Sequence, residues 1–230
     1  MTKQLFVGID VSEKHGFDLV ALCPRQGFVE ARNLPDAAAT YGFLMDDLGG
    51  PTAIAAIAVD SPCNWAYPNS RSREAERALE IDGHRIQSYG TPSRELAVGQ
   101  ARLGWIRNGM TLYSLLKNDW PLFNGTVEKD APVVMETFPH AVSCYLSGER
   151  VRASSTTRTV LAGLATGCSL ESLLVLDTKD LVDAALCSIA AVALHRGEYH
   201  VTNTGYPHGN SEEGFIVLPK QKWRLCSHSI

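Results

Sequence analysis

No CxxC pair occurs among the six cysteines, at positions 23, 63, 144, 168, 187 and 226, and none of their spacings suits a metal site. A zinc ribbon and a thioredoxin-type redox pair are thereby excluded, and the cysteines read as reduced thiols, most of them small buried hydrophobes. The seven histidines are scattered, with no HxH or HExxH spacing, so a zinc hydrolase is unsupported. GxSxG, the Walker A loop and GxGxxG are all missing, which argues against a serine esterase, a P-loop NTPase and a Rossmann dinucleotide enzyme. Long apolar runs are absent too. The longest, Ala184 to Leu194, falls well short of the roughly 20 residues a membrane-spanning helix needs.

Positive charge is also in short supply. A net charge of -4 and a pI near 6.0 argue against a protein held to nucleic acid by a bulk positive field, because non-specific affinity follows the number of phosphates neutralised. The amino terminus, MTKQLFVGID, has none of the regions of a secretory signal, and a cytoplasmic protein without membrane attachment is the expectation. What remains is an ordinary globular composition, 45% hydrophobic and 20% charged, long enough for one sizeable core.

Three β-rich runs, LFVGID, GFDLVALC and GFVEARNL, follow one another across very short connections. Such connections suit antiparallel hairpins and cannot hold a parallel crossover. Residues 35–50 read as a helix with an acidic start and a glycine stop, and residues 52–60, TAIAAIAVD, as a buried parallel strand. Another strand is expected within 131–139, a short helix after it, a further helix within 156–166, and a long apolar helix over 177–197 with Asp177 as N-cap and Gly197 as C′ residue. The arginine- and glycine-rich stretch 70–120 reads as a helical insertion on a single α/β domain spanning residues 1–230.

Carboxylates fall where such a fold would gather them. Asp10 and Asp60 each end an apolar strand, and as parallel neighbours those strands would set the two side by side, about 4.8 Å apart. That edge of an open α/β sheet is where sites form. Glu136 interrupts an apolar strand and must be paired or metal-bound, so it is either a ligand or the partner of a buried arginine. Asp183 lies one turn into the long helix, aimed at its packed face, and Asp180 suits the positive end of the helix dipole. Asp10, Asp60, Glu136 and Asp183 together would make an oxygen-only site for Mg²⁺ or Mn²⁺. Two such ions, roughly 3.5–4 Å apart, can stabilise both oxygens of an in-line phosphoryl displacement, with no histidine or cysteine nucleophile.

Arg73 and Arg77, on a loop and the start of a helix after Asp60, could grip phosphate; alternatively they pair with Glu74, Glu76 and Glu80. Arg102, Trp105 and Arg107 could track a nucleic-acid strand by charge and stacking, or simply form an amphipathic helix. His140 reads as a helix-start residue near the proposed site.

The ordered set VGIDVSEKHGFDLVAL, IAVDSPCNW with SREAERAL, VVMETFPHAV, DLVDAALCSIAAVALHRGE and EEGFIVLP resembles a predicted-nuclease family, domain of unknown function 429. The resemblance implies a ribonuclease H-like fold with a mixed five-stranded sheet, metal roles for Asp10, Asp60, Asp183 and Glu136, and nucleic acid as partner. GIDVS alone also resembles the start of DEDD-class transposases and RuvC-type resolvases, and of the sugar-kinase, heat-shock and actin superfamily. The last normally wants a glycine soon after the aspartate, where this chain has Val11, Ser12 and Glu13. The expected activity is metal-dependent phosphodiester hydrolysis. The rivals are a non-catalytic binding or regulatory protein on the same scaffold and an ATP-dependent phosphotransferase-like protein.

Overall fold

The computed structural model describes residues 4–128, 131–168, 173, 175–202 and 213–225. Strands β1 (Leu5–Val11), β2 (Phe17–Cys23) and β3 (Gly27–Leu34) run antiparallel as two consecutive hairpins. The first turn closes on Gly16, at φ +81°, where a Cβ would lie 2.2 Å from the Leu34 carbonyl oxygen; only glycine fits. Helix α1 (Ala37–Asp46) begins at an N-cap, Asp36, whose carboxylate accepts from the Ala39 amide at 2.8 Å. Helix α1 ends just before the expected glycine stop, where Gly49 and Gly50 both take positive φ, and a single turn α2 (Gly50–Ala53) feeds β4 (Ile54–Asp60), which lies parallel to β1.

After β4 come the short helix α3 (Glu74–Arg77), a small hairpin of β5 (Glu80–Ile81) and β6 (His84–Arg85), and helix α4 (Gly104–Leu116). Strand β7 (Val133–Glu136) pairs parallel with β4, giving the sheet order β3-β2-β1-β4-β7. Helices α5 (Pro139–Ser147), α6 (Ser155–Thr166) and α7 (Lys179–His195) follow, then a ribbon of β8 (Tyr199–Val201) and β9 (Val217–Pro219). Three antiparallel strands followed by two parallel ones, with helices on both faces, is the ribonuclease H-like arrangement that the motifs imply.

Strand alternation divides the core into two layers. Phe6, Val20, Leu22, Ala56, Ala58 and Met135 pack with α5, α6 and α7; Val7, Ile9, Leu19, Ile57, Val59 and Val134 pack with Leu44 of α1 and Leu112, Tyr113 and Leu116 of α4. Every residue of α7 from Leu181 to Leu194 is buried, so its apolar surface and not its helix propensity holds it in place.

The structure redraws part of the 70–120 stretch. The helix expected over SREAERALEI shrinks to one turn, and residues 93–103 form turns ending in a 3₁₀ segment, Ala101–Leu103. Only α4 is a full helix, and its far half belongs to the core beneath the sheet. The N-cap of α7 is Thr178, whose hydroxyl accepts from the Leu181 amide at 3.1 Å, in place of the expected Asp177. Gly197 does follow the helix at φ +70°. The five described cysteines are unpaired thiols, and Cys226 lies outside the described residues. Among the described residues no helix is long and apolar enough to cross a membrane.

Candidate metal centre

The site begins with strand register. Asp10 on β1 lies directly opposite Asp18 on β2 and directly beside Asp60 on β4. Residues at one level of a sheet point to one face, so the three aspartates form a row across three adjacent strands. Helix α7 covers that face. Gly8, two residues before Asp10, has no side chain to hold it off: a Cβ there would lie 1.9 Å from the Ala184 carbonyl oxygen. This close approach brings the first turns of α7 over the row, adding Asp180 and Asp183.

One carboxylate oxygen from each of Asp10, Asp18 and Asp180 lies within 4.8 Å of the others. Magnesium and calcium bind oxygen at about 2.0–2.6 Å, so ligands on opposite sides of one ion stand about 4–5 Å apart, and this group fits a hard divalent cation. Asp10 also shares a hydrogen bond with Asp60 and feels the charge of Asp183. It is thus common to two carboxylate groups, one toward β2 and one toward β4.

Electrostatics point the same way. Burial, followed by the nearby Asp183 charge, pushes Asp10 from its ordinary 3.8 up to about 7. Burial and then the charges of Asp10 and Asp183 push Asp60 well above the usual carboxylate range. Asp18 rises through burial, opposed by a hydrogen bond from Asn33. Among the described residues, two cationic side chains pair with these five carboxylates, and His15 also acts on Asp18. Arg158 of α6 donates Nη1–H to Asp183 Oδ1, and Lys179 Nζ lies 3.6 Å from Asp183 Oδ2. Even with Arg158 opposing it, burial raises Asp183. Unlike charge is what the cluster needs to ionise.

Glu136 stands apart from this row. Its register partner on β4 is Val59, one residue short of Asp60, so its side chain leaves the opposite face of the sheet. Arg73 grips it with both Nη groups, at 2.7 Å from Nη1 to Oε2, and the Cys63 amide donates to Oε2 at 3.0 Å. Arg73 is itself 1% exposed, and its Nε–H donates to Glu76 Oε1 at 3.0 Å. Burial favours the neutral arginine, but Glu136 reverses that and holds it charged. Of the two readings of Glu136, the partner of a buried arginine is the one this geometry matches, and Arg73 is spent inside the protein and not on a solvated loop. Arg77 is exposed and donates to the Ser72 carbonyl, away from the cleft.

Asp10, Asp60, Asp180, Asp183 and Arg158 line a cleft of about 670 Å³, with Trp105 and His140 on its walls. His140 Nε2 is 3.0 Å from the Val151 carbonyl oxygen, and Arg107 donates to the Ala97 carbonyl at 3.1 Å. Asp18 and Arg158 are absent from the expected site, and Asp180 was assigned there only to the helix dipole. Asp18 had one usable signal: in a hairpin closed by Ser12 to Gly16, counting outward from the turn pairs it with Asp10. Arg158 had none, since only the packing of α6 on α7 joins it to Asp183.

A search of curated proteins finds no match. Among solved structures, a Thermus thermophilus RuvC structure matches with 12% sequence identity and a TM-score of 0.47, over 84% of this chain and 97% of that one. A family model matches residues 8–205, from the strand that carries Asp10 to beyond the helix that carries Asp183, and the chain therefore belongs to the family described as a protein of unknown function, DUF429.

Proposed function

We propose that the protein is a divalent-metal-dependent nuclease that hydrolyses phosphodiester bonds in nucleic acid. One observation carries this reading: Asp10 is shared by two groups of buried and half-buried carboxylates whose charges exceed what neighbouring side chains neutralise. Asp10, Asp18 and Asp180 would hold one Mg²⁺ or Mn²⁺, and Asp10, Asp60 and Asp183 a second. Such ions supply positive charge to the attacking and leaving oxygens of an in-line displacement.

The chain's own groups have distinct tasks in this reading. Asp10 and Asp60 stand on rigid strand ends, so their oxygens are held in place before substrate arrives. Arg158 holds the rotamer of Asp183 and favours its ionised form against the effect of burial. Glu136 and Arg73 brace the β4–β7 edge from within the lining of the same cleft, whereas Arg77 lies outside it.

The test is cleavage of labelled single-stranded DNA, duplex DNA, RNA and RNA–DNA hybrid with Mg²⁺ or Mn²⁺, comparing wild type with Asp10→Asn and Asp60→Asn. Calorimetric titration with Mn²⁺ runs alongside. Cleavage and Mn²⁺ binding that both variants lose is the expected result. Cleavage that survives both substitutions sinks the proposal, and Mn²⁺ binding without cleavage moves the reading to a regulatory protein on the same scaffold.

A further inference from the structure

A second groove, of about 820 Å³, opens beside the acidic cleft and shares Gln87, Ser88, His140 and Ala153 with it. Its character is opposite. Arg85 enters from β6, and Arg150 and Arg152 from the segment that links α5 to α6. All three are exposed, and among the described residues no carboxylate pairs with any of their guanidinium groups. Even Glu80, the cross-strand partner of Arg85, makes no ion pair with it. In a chain of net charge -4, three such groups from two separate elements lining one groove form a local positive channel. A row of phosphates is the ligand that matches its charge and its fork-shaped donors.

The acidic cleft carries a different feature on its rim. Tyr89 is 80% exposed and meets Trp105 edge to face, with ring centroids 6.3 Å apart, and both line the cleft. Tyr89 presents its ring to solvent, and it follows Gln87 and Ser88 of the shared wall directly in sequence. An unpaired base offers a free π-face to such a ring, whereas a base inside a duplex has both faces taken.

We propose that the groove binds the phosphate backbone of a single-stranded nucleic-acid segment through Arg85, Arg150 and Arg152, with an unpaired base stacked on Tyr89 and Trp105. The inference rests on the nuclease reading for one point only, that the strand so held runs on into the acidic cleft. It makes single-stranded nucleic acid, or a single-stranded part of a larger one, the substrate class.

Fluorescence anisotropy in the presence of a chelator tests this on the full chain, because without metal the acidic cleft repels phosphate and binding reports the groove. The probes are labelled oligothymidylate, oligouridylate and a blunt DNA duplex. Wild type is expected to bind one or both single strands at least about tenfold more tightly than the duplex. The Arg85→Glu, Arg150→Glu, Arg152→Glu triple variant is expected to weaken that binding by more than about tenfold and to flatten the salt dependence of what remains by about 2 in log–log slope, from three contacts at about 0.7 each. Tyr89→Ala is expected to weaken the single strand about tenfold and leave the duplex unchanged. Melting curves check that these surface variants stay folded. Equal or tighter duplex binding, no binding to any probe, or binding untouched by the triple variant overturns the inference. The nuclease reading fails separately, as tight single-strand binding with no cleavage once Mg²⁺ or Mn²⁺ is restored.

Discussion

The same sheet edge buries carboxylates in two ways. Across β2, β1 and β4, Asp18, Asp10 and Asp60 are packed together with Asp180 and Asp183 above them and too little positive charge nearby. On β7, one strand further along, Glu136 is held by a bidentate arginine and a backbone amide. The second arrangement is complete in itself. The first leaves its carboxylates without full compensation. A buried ionised group must be neutralised by something, and where the protein does not supply the partner, a proton or a bound cation does.

That contrast breaks most sharply at Asp10. Asp10→Asn is expected to reduce cleavage by more than about 100-fold, since loss of mere outer-shell partners typically costs 10–100-fold. The same variant is expected to raise the melting temperature of the metal-free protein, because it removes one of several crowded like charges. A drop in melting temperature would mean that Asp10 is already compensated.

Arg73→Met should do the reverse. It strands Glu136 without a counter-charge and is expected to cost about 3–5 kcal/mol in urea unfolding, as for other broken buried pairs. Stability within about 1 kcal/mol of wild type would show that Arg73 is dispensable to the fold, against its 1% exposure.

Gly8→Ala probes how the acidic row is covered. The added methyl would force α7 away from β1, with an expected cost of about 1–3 kcal/mol and a loss of Mn²⁺ affinity in calorimetry. Destabilisation with metal affinity unchanged would separate the helix approach from the site.

The smallest effect is expected with pH. Asp10 titrates near 7 in the folded metal-free protein against an ordinary 3.8, so the folded state holds a proton that the unfolded chain has released. Its contribution to stability is therefore present at low pH and lost as pH rises between those values. Added Mg²⁺ should raise the melting temperature more above about pH 7 than below pH 5, where protons compete for the same oxygens. A pH-independent gain would argue against these carboxylates as ligands.

Much of this contrast was legible before the fold. Short connections forced two hairpins, and the continuous apolar run ending in Asp60 demanded a buried parallel strand, which together bring Asp10 and Asp60 side by side. Glu136 was legible only as a choice between ligand and ion-pair partner. A one-residue offset between β4 and β7 matched it to the second, and no local pattern encodes that offset. Arg73 looked solvated because glutamates surround it at helical spacing; it is buried because the chain folds those neighbours inward. Residues 93–103 carry a helical pattern but stay as turns, with Gly99 at φ +74° breaking it.

Hydrophobic period and turn chemistry act over neighbouring residues, and they are enough to set the order of strands and helices, the two strand-end aspartates and the long apolar helix. Which carboxylates come together is settled by packing. Asp18 joins through hairpin register, Asp180 and Asp183 through the approach of α7 over Gly8, and Glu136 reaches the same cleft from the other face of the sheet, already held by Arg73. These are contacts between segments far apart in the chain, and their geometry is set by how whole elements pack.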